Sequence, residues 1–458
     1  MNFPNHGYTR RQAIRSLVSG SILLPGILSQ LLADESRVEI NPLAPRPSHF
    51  SGKAKRVIFL FMTGGVSHMD SFDPKPMLHV KAGEPVSKKK SQKYFAPLWE
   101  FQRGGKCGTE VSDLFPYVRE CMDDICLIRS MKADHIDHFQ ATLGIHTGSV
   151  SVPRPSIGSW VSYGLGTENN NLPSFVVLAP DLPYAGSQVW SSDFLPACHQ
   201  GTRVFSGAEP IADLNRRSPS QKIQELELGL LDKFNRKHQV KRENDTTLAA
   251  RIKSFETAFG MQQAMPDVLD LSKETDATLD LYGLERGSTK GFGWQCLVAR
   301  RMAERGVRFI ELIDVGSHDN WDAHADMKTH GPLAKNVDQP IAGLLKDLKS
   351  RGMLEDTLVV WTTEFGRTPG VDGFKGRSHH PAAFSSWLAG AGVKGGIVHG
   401  KTDELGGSII ENPVTVNDFH ATILHLLGFD HEQLTFRHAG RDFRLTDVAG
   451  NVVKAILT

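Results

Sequence analysis

A series of short, uninterrupted apolar runs constrains the fold of this chain more than any other feature. The first run, RVIFLFMTGG at residues 56–65, has no polar residue between Val57 and Met62. Such a run is typical of a strand that is buried on both faces, as in a parallel sheet. Similar runs occur at residues 124–131, 174–180, 307–314, 356–364 and 384–392. The sequence therefore predicts a sheet with several central strands.

Segments with helical periodicity separate these runs, for example residues 290–306 and 336–352. Strand and helix in alternation are the signature of an α/β domain with a doubly wound, mostly parallel sheet. The chain has 458 residues, 40% of them hydrophobic, which is enough for one large core. In sheets of this kind, ligands bind at the carboxyl ends of the strands.

Two segments read as additions to this pattern. Residues 79–95 are polar and basic, and a solvated loop is the main interpretation. Residues 219–286 are charged and mostly helical, and we expect a helical insertion that could cap the active face. The formal net charge is +1, without a basic tract typical of nucleic-acid binding, so we expect no nucleic-acid partner.

The N-terminus resembles an export signal of the twin-arginine type. Arg10 and Arg11 are adjacent, and a moderately apolar run follows at residues 17–32. A short membrane anchor is the alternative interpretation. Gly20, Pro25 and Gly26 interrupt the run, however, and it is too short to span a bilayer comfortably. We therefore expect residues 1–33 to be a signal peptide, and the processed protein to be periplasmic or secreted without a stable membrane span.

Polar and charged side chains that could bind a metal or an anion follow nearly every predicted strand. In chain order they are Ser67, His68, Asp70 and Asp73; Asp134, His135, Asp137, His138 and His146; His318, Asp319, Asp322 and His324; Glu364, Arg367, His379 and His380; and Asp418 and His420. Carboxylate oxygens and imidazole nitrogens suit zinc, manganese and similar divalent ions. Each residue alone could equally be a cap, a turn residue or a core histidine. Their joint placement at strand ends predicts a divalent-metal site.

Eight segments, which fall into five groups, together resemble a family of exported bacterial proteins. They are FMTGGVSHMDSFDPKP, RPSIGSWVSYGLGTEN, ARRMAERGVRF with NWDAH, TTEFGRTP with GRSHHP, and DFHATILHLLGFDH with GRDFRLTDV. The family is catalogued as domain of unknown function fifteen-oh-one, and the resemblance runs from about residue 45 to residue 458. It implies a sulfatase-like domain of the alkaline phosphatase superfamily. Members of that superfamily act on phosphate or sulfate esters at a one- or two-metal site.

The resemblance also implies a set of metal ligands. The carboxylate after the first strand corresponds to Asp70, and Asp73 is the alternative candidate. The ligands after a middle strand correspond to Asp322 and His324, and Asp314 with His318 is a second candidate pair. The remaining ligands correspond to Glu364 and to His379 or His380. We expect at least four of Asp70, Asp322, His324, Glu364, His379 and His380 to converge, and zinc, manganese and calcium all remain candidate ions.

The chain departs from the superfamily pattern beside Glu364. The superfamily has Asp-His-Gly here, whereas this chain has Glu364-Phe365-Gly366, and a phenyl ring cannot bind a metal. Three alternatives follow: His68 or His138 replaces the missing imidazole, a single metal binds, or the site is degenerate. Arg367 lies close by, where its planar guanidinium would face a bound oxyanion.

The nucleophile is open at this stage. No Cys/Ser-x-Pro-x-Arg signature of sulfatases is present. Ser67, Thr63, Thr142 and a metal-bound hydroxide are the alternatives. The sequence thus predicts an exported metal-dependent hydrolase of sulfate or phosphate esters, on a small molecule or a polysaccharide, with Ser67, Arg367 and His138 as catalytic candidates. The alternative is a sulfatase-like protein that binds a glycan or a partner without catalysis.

Export gives a first test. Changing both Arg10 and Arg11 to Lys should leave the precursor in the cytoplasm, because the twin-arginine route depends on receptor recognition of the pair. Fractionation followed by immunoblotting measures the distribution. A periplasmic yield equal to that of the unchanged chain would contradict this route.

Overall fold

A computed structural model describes residues 41–86, 92–207, 209–211, 214–215, 218–240, 242, 246–315, 320–372 and 375–458. The predicted signal peptide, residues 1–33, lies outside this set. In chain order the strands are β1 (Arg56–Met62), β2 (Phe101–Gly104), β3 (Thr109–Ser112), β4 (Ile125–Lys132), β5 (Phe175–Leu178), β6 (Thr202–Val204), β7 (Phe309–Asp314), β8 (Thr357–Thr362), β9 (Gly366–Asp372), β10 (Gly376–His380), β11 (Phe384–Ala389), β12 (Ile397–His399), β13 (Lys401–Thr402), β14 (Ile409–Glu411), β15 (Val414–Thr415), β16 (Phe436–His438) and β17 (Arg441–Phe443).

The described residues also form eleven α-helices. They are α1 (His68–Ser71), α2 (Pro76–Val80), α3 (Pro116–Arg119), α4 (His138–Thr147), α5 (Ile157–Leu165), α6 (Gln221–Gln239), α7 (Thr246–Leu269), α8 (Asp276–Leu281), α9 (Phe292–Glu304), α10 (His330–Ser350) and α11 (Val416–Leu426). Within the described residues, no helix is long and apolar enough to cross a membrane.

Nine strands form the central sheet, in the order β12-β4-β11-β8-β1-β7-β5-β6, with β15 beside β4. All pairs are parallel except those of β11, which is antiparallel to both β4 and β8. The predicted strands all form, and the prediction of a mostly parallel α/β sheet is confirmed. The run at 384–392 differs only in that its strand, β11, is antiparallel.

Successive residues of β1 point into two different cores. Val57, Phe59 and Phe61 pack with α4, α5 and α11 on one face of the sheet. Ile58, Leu60 and Met62 pack with α9 and α10 on the other face. Side chains alternate between the faces of a strand, so an apolar run is favourable only where helices cover both faces. Central residues of the predicted strands are buried accordingly: Ile58, Leu60, Val176, Phe309, Val359 and Val360.

The helical insertion consists of α6, α7 and α8, and buried charges join its C-terminal part to the domain. Arg300 of α9 is 2% exposed and contacts Glu274 at 2.8 Å and Asp347 at 3.0 Å. Arg301 donates from Nε to the Val268 carbonyl at 2.8 Å. These contacts fix the end of α7 and the turn after it to α9 and α10. A cap over the active face stays a prediction.

Buried histidines couple the stability of this fold to pH. His199 is 1% exposed, and its Nδ1 lies 2.8 Å from Ser162 Oγ. Burial, with a smaller effect from Arg46, lowers the pKa of His199 to about 3. The unfolded chain, with a histidine pKa of about 6.5, takes up a proton that the folded chain does not. This contribution to stability is therefore complete above pH 6.5 and declines as the pH falls toward 3.

A His199→Gln variant isolates this effect, because glutamine can keep the hydrogen bond to Ser162 without taking up a proton. Between pH 6 and 4 the free energy of unfolding of the unchanged chain should fall by about 1.4 kcal/mol more per pH unit than that of the variant. Urea unfolding at several pH values measures both slopes. Parallel slopes would show that His199 is protonated in the folded state.

Candidate metal centre

The candidate site lies where three neighbouring strands end. The strands β8, β1 and β7 are adjacent and parallel, so their carboxyl ends meet at one edge of the sheet. Gly64 and Gly65 follow β1 with φ values of 112° and 77°. A Cβ on Gly64 would lie only 2.7 Å from the backbone nitrogen of Asp322. Glycine at this position therefore allows the loop after β7 to approach the end of β1 closely.

Glu364 follows β8 and is fully buried. Its carboxylate accepts hydrogen bonds from the backbone nitrogen of Gly64 at 2.9 and 3.1 Å and from Thr363 Oγ1 at 3.0 Å. His138 Nδ1 lies 2.7 Å from Glu364 Oε1. Burial alone would raise the pKa of Glu364, but the hydrogen bond and charge of His138 outweigh it and lower the pKa. Glu364 is therefore an ionised acceptor that orients His138.

His138 is the first residue of α4 and connects Glu364 to Asp322. Its Nε2 lies 3.2 Å from Asp322 Oδ2. The ring stacks on Tyr184 at a centroid distance of 4.1 Å and also contacts Phe365 at 4.8 Å. Burial lowers the pKa of His138, but the two carboxylates raise it to about 9. Two anions and two aromatic rings thus fix the orientation of this imidazole.

Asp322, His324 and His379 converge at the open side of the site. These three residues form the His–Asp cluster. Asp322 Oδ1 lies 3.1 Å from His324 Nε2 and 3.4 Å from His379 Nε2. The two Nε2 atoms are 2.8 Å apart. Ligand atoms 2.0–2.1 Å from a tetrahedral zinc ion lie about 3.3 Å from one another, close to these separations. His138, Asp322 and His379 each have one nitrogen or carboxylate oxygen that could bind an ion, and these three atoms lie within 4.8 Å of one another.

The outer nitrogens of His324 and His379, which are both partly buried, define which ring atoms face the cluster. His379 Nδ1 lies 2.8 Å from the Ile136 carbonyl, which can only accept, so Nδ1 carries the proton. His324 Nδ1 lies 2.7 Å from Asp372 Oδ2 and donates in the same way. In the neutral rings both Nε2 atoms then present lone pairs toward each other. Histidine metal ligands are held in this manner by an outer carboxylate or carbonyl.

The charges of the site favour a bound cation. Asp322, Glu364 and Asp372 supply three carboxylates, while Arg367 and the protonated imidazole of His138, whose pKa is raised to about 9, supply two positive charges. Facing lone pairs 2.8 Å apart repel unless a proton or a metal ion lies between them. This donor set of imidazole nitrogens and carboxylate oxygens therefore fits a divalent metal.

The structure gives Arg367 a different role from the expected one. The residue is fully buried. Nε donates to the Gly65 carbonyl at 2.8 Å, Nη1 to the Arg377 carbonyl at 3.1 Å, and Nη2 to Asp322 Oδ1 at 2.6 Å and to the Gly64 carbonyl. With these donors engaged, Arg367 holds the loop after β1 and the Asp322 carboxylate rather than facing an oxyanion.

Ser67 and Asp70 belong to a separate buried group. Ser67 Oγ donates to Asp70 Oδ2 at 2.6 Å, and Arg377 Nε donates to the same oxygen at 2.8 Å. Both carboxylate oxygens of Asp70 are engaged, because Oδ1 accepts from the Leu98 nitrogen at 3.3 Å. The structure thus does not bring Asp70 or Ser67 into contact with the His–Asp cluster. Thr63, another nucleophile candidate, is buried at the end of β1.

His379 and His380 are adjacent, yet only His379 reaches the cluster. Side chains alternate along β10, and His380 points the other way, with Nε2 3.0 Å from the Gly407 carbonyl. It stacks on His68 at a centroid distance of 6.1 Å. His68 in turn has Nε2 3.0 Å from the Gly406 carbonyl, so it does not replace the missing imidazole.

Three of the six expected ligands therefore meet directly: Asp322, His324 and His379. Glu364 lies one imidazole away, behind His138, so the expectation that four would meet is not fulfilled. In the second candidate pair, Asp314 accepts from Trp321 Nε1 at 2.8 Å, and His318 lies outside the described residues. Sequence reasoning missed Asp372, and no motif around it could have indicated its contact with His324.

No curated protein matches this chain. Among solved structures, it is similar to the PsFucS1 sulfatase from Pseudoalteromonas sp. (13% identity, TM-score 0.37, covering 93% of this chain and 73% of that one). It is also similar to Ps i-CgsB in complex with k-i-k-neocarrahexaose (12% identity, TM-score 0.37, covering 82% of this chain and 72% of that one). A third similar structure is the alkaline phosphatase from the Antarctic bacterium TAB5 (12% identity, TM-score 0.35, covering 83% of this chain and 99% of that one).

The family comparison covers nearly the whole described domain. The family described as "Protein of unknown function (DUF1501)" matches residues 54–457, which include all of the central strands and the residues of the His–Asp cluster. The chain belongs to this family.

Proposed function

We propose that this protein is an exported, metal-dependent hydrolase of sulfate or phosphate esters. The observation that carries the proposal is the convergence of Asp322, His324, His379 and His138 at the carboxyl edge of the sheet. Nε2 of His324 and of His379 lie 3.1 and 3.4 Å from one oxygen of Asp322, and Nε2 of His138 lies 3.2 Å from the other. The sequence motifs that resemble sulfatase-like proteins supply the reaction class.

The donor set favours one zinc or manganese ion over calcium. Calcium prefers six to eight oxygen ligands, whereas three of the four donors here are imidazole nitrogens. A second ion in the position expected for Asp70 is disfavoured, because Arg377 and Ser67 already occupy that carboxylate. When bound, such an ion would polarise an ester oxygen and lower the pKa of a coordinated water.

The residues of the chain would hold and shield this centre. Asp372 and the Ile136 carbonyl fix the rings of His324 and His379. Glu364 fixes His138, and the rings of Tyr184 and Phe365 keep water away from it. Restricting the donors in this way removes reorganisation on binding, which strengthens both metal affinity and catalysis.

The substrate would be a sulfated or phosphorylated small molecule or polysaccharide. His324 has a side chain that is 41% exposed, so the cluster is open to solvent on this side. An ester group could approach the ion there, while the rest of a large substrate stays outside. This arrangement suits a polymer as well as a small molecule.

A non-catalytic glycan- or partner-binding protein is the second candidate. Two observations favour it: Ser67 is buried against Asp70, and the donors of Arg367 are engaged by protein groups. Ser67 therefore does not present a nucleophile to the His–Asp cluster, and Arg367 does not present a free guanidinium. Under the hydrolase proposal no side chain needs to be the nucleophile, because water activated by an ion that Asp322, His324 and His379 would hold could attack the ester.

Adjacent histidines give a matched test of the metal centre. His379→Ala should weaken zinc binding by more than about 100-fold, because it removes a ligand, and Asp372→Asn should weaken it by about 10- to 100-fold. His380→Ala should leave zinc affinity unchanged, since His380 faces away. Competition with a chromogenic chelator measures the affinities, with circular dichroism to confirm folding. Equal zinc affinity in the His379 and His380 variants would show that zinc does not bind at this site.

Activity is tested with the metal-loaded protein on 4-nitrophenyl sulfate, phosphate and phosphonate esters. We expect turnover of at least one ester, a loss of about 100-fold or more in kcat/KM for His324→Ala and a comparable loss for Glu364→Gln. Ser67→Ala should retain activity within about tenfold, whereas complete loss would identify Ser67 as the nucleophile. A protein that binds metal but turns over none of these esters or a sulfated polysaccharide would favour the non-catalytic alternative.

A further inference from the structure

The hairpin of β9 and β10 carries two side chains of the metal centre. They are His379 and Asp372, which holds the ring of His324. The two strands form a sheet of their own, apart from the central sheet. A two-stranded hairpin is only marginally stable by itself in water. Contacts outside its own ladder must therefore fix its position against the ends of β1 and β7.

Arg377 of β10 makes such contacts with its side chain, which is fully buried. Nη1 donates to the Thr368 and Pro369 carbonyls of β9 at 3.1 and 3.2 Å. Nη2 donates to the Phe95 carbonyl at 2.9 Å, and Nε donates to Asp70 Oδ2 at 2.8 Å. One guanidinium thus joins both strands of the hairpin to the segment before β2 and to α1.

The backbone of Arg377 contacts the segment that carries the other two residues of the His–Asp cluster. Its nitrogen donates to the carbonyl of Ala323, which stands between these two residues in the sequence, at 3.0 Å. Its carbonyl accepts from Arg367 Nη1 at 3.1 Å, and Arg367 Nη2 donates to Asp322 Oδ1 at 2.6 Å. His379 lies two residues further along β10. A shift of Arg377 would therefore disturb every member of the cluster.

Asp70 fixes the guanidinium from the side of α1. This aspartate is fully buried on the short helix that follows β1. Its Oδ2 also accepts from Ser67 Oγ at 2.6 Å, and its Oδ1 accepts from the Leu98 nitrogen at 3.3 Å. The Ser67 nitrogen in turn donates to His330 Nε2 on α10 at 3.2 Å. The carboxylate is thus a fixed anchor, held to the loop after β1 and to α10.

We propose that Asp70 is a positioning residue of the metal centre, which acts through Arg377 and does not touch the ion. This inference rests on the proposed metal-binding function. A buried guanidinium that loses its carboxylate is strongly destabilised, so Arg377 and the hairpin would shift. Metal ligands must be held within about 0.5 Å of their productive positions. Asp70 therefore controls metal affinity without contacting the metal.

An Asp70→Asn variant tests this role, because it removes the charge and keeps the shape of the side chain. It should weaken zinc binding by about 10- to 100-fold, the usual effect of losing a group that orients a ligand. Competition of the full chain with a chromogenic chelator measures the affinity. An affinity equal to that of the unchanged chain would overturn the proposal. If the unchanged chain itself binds no zinc, the metal centre is wrong, and the two failures are thus distinguished.

Asp347→Asn is the matched control. Asp347 is also buried and contacts a buried guanidinium, that of Arg300, at 3.0 Å. It lies about 25 Å along α10 from His330, away from the metal centre. The control should lower Tm, as Asp70→Asn does, and leave zinc affinity unchanged. An equal loss of zinc affinity in both variants would show a general effect of stability and overturn the positioning role.

Arg377→Lys carries the test if Asp70→Asn does not fold. Lysine keeps a positive charge beside Asp70, but its single ammonium cannot also reach the carbonyls of β9 and of Phe95. Zinc affinity should again fall by about 10- to 100-fold, whereas Arg300→Lys should leave it unchanged. Unchanged affinity in Arg377→Lys would overturn the proposal.

X-ray absorption at the zinc edge distinguishes positioning from direct binding. The zinc-loaded Asp70→Asn variant should keep the coordination number of the unchanged chain, because Asp70 is not a ligand. His379→Ala should lose one imidazole in the same measurement. A coordination number that falls in Asp70→Asn would show that Asp70 binds the ion itself and would overturn its indirect role.

Discussion

The buried carboxylate of Glu364 is the contact on which the site depends. It joins the end of β8 to the Gly64 nitrogen after β1 and to His138 at the start of α4. A buried carboxylate is costly unless it is fully hydrogen-bonded, so each of these groups must occupy its position for the others to be stable. The glutamate at the end of this core strand therefore has a positioning role. Glu364 fixes the imidazole that contacts Asp322, instead of contacting the proposed ion itself.

The same requirement explains why the neighbouring arginine is buried. The loop after β1 turns through two glycines, and its carbonyl oxygens need donors that the sheet does not provide. Arg367 supplies them at Gly64 and Gly65 and also binds Asp322. One guanidinium thus satisfies the loop and orients a candidate metal ligand. The anionic surplus that remains, with the facing lone pairs of His324 and His379, is what a bound cation would offset.

The sequence predicted the sheet better than it predicted the site. Apolar runs such as 56–65 report burial on both faces, but they read the same in either direction, so the antiparallel β11 could not be foreseen. The choice between His379 and His380 depends on the pairing of β10 with β9, which shifts between Arg377 and His379. Asp372 reaches His324 only because that hairpin folds back. Spacing along a chain cannot report contacts that a strand register decides.

The helix that presents His138 is anchored at both ends. At its start His138 contacts Glu364 beside β8, and at its end His146 Nε2 lies 2.7 Å from Glu311 Oε1 on β7. Both partners of the second pair are almost fully buried in the core. Two buried pairs to two different strands leave α4 little freedom to slide or rotate. His138, one of the proposed ligands, is thus positioned by contacts with the interior of the sheet.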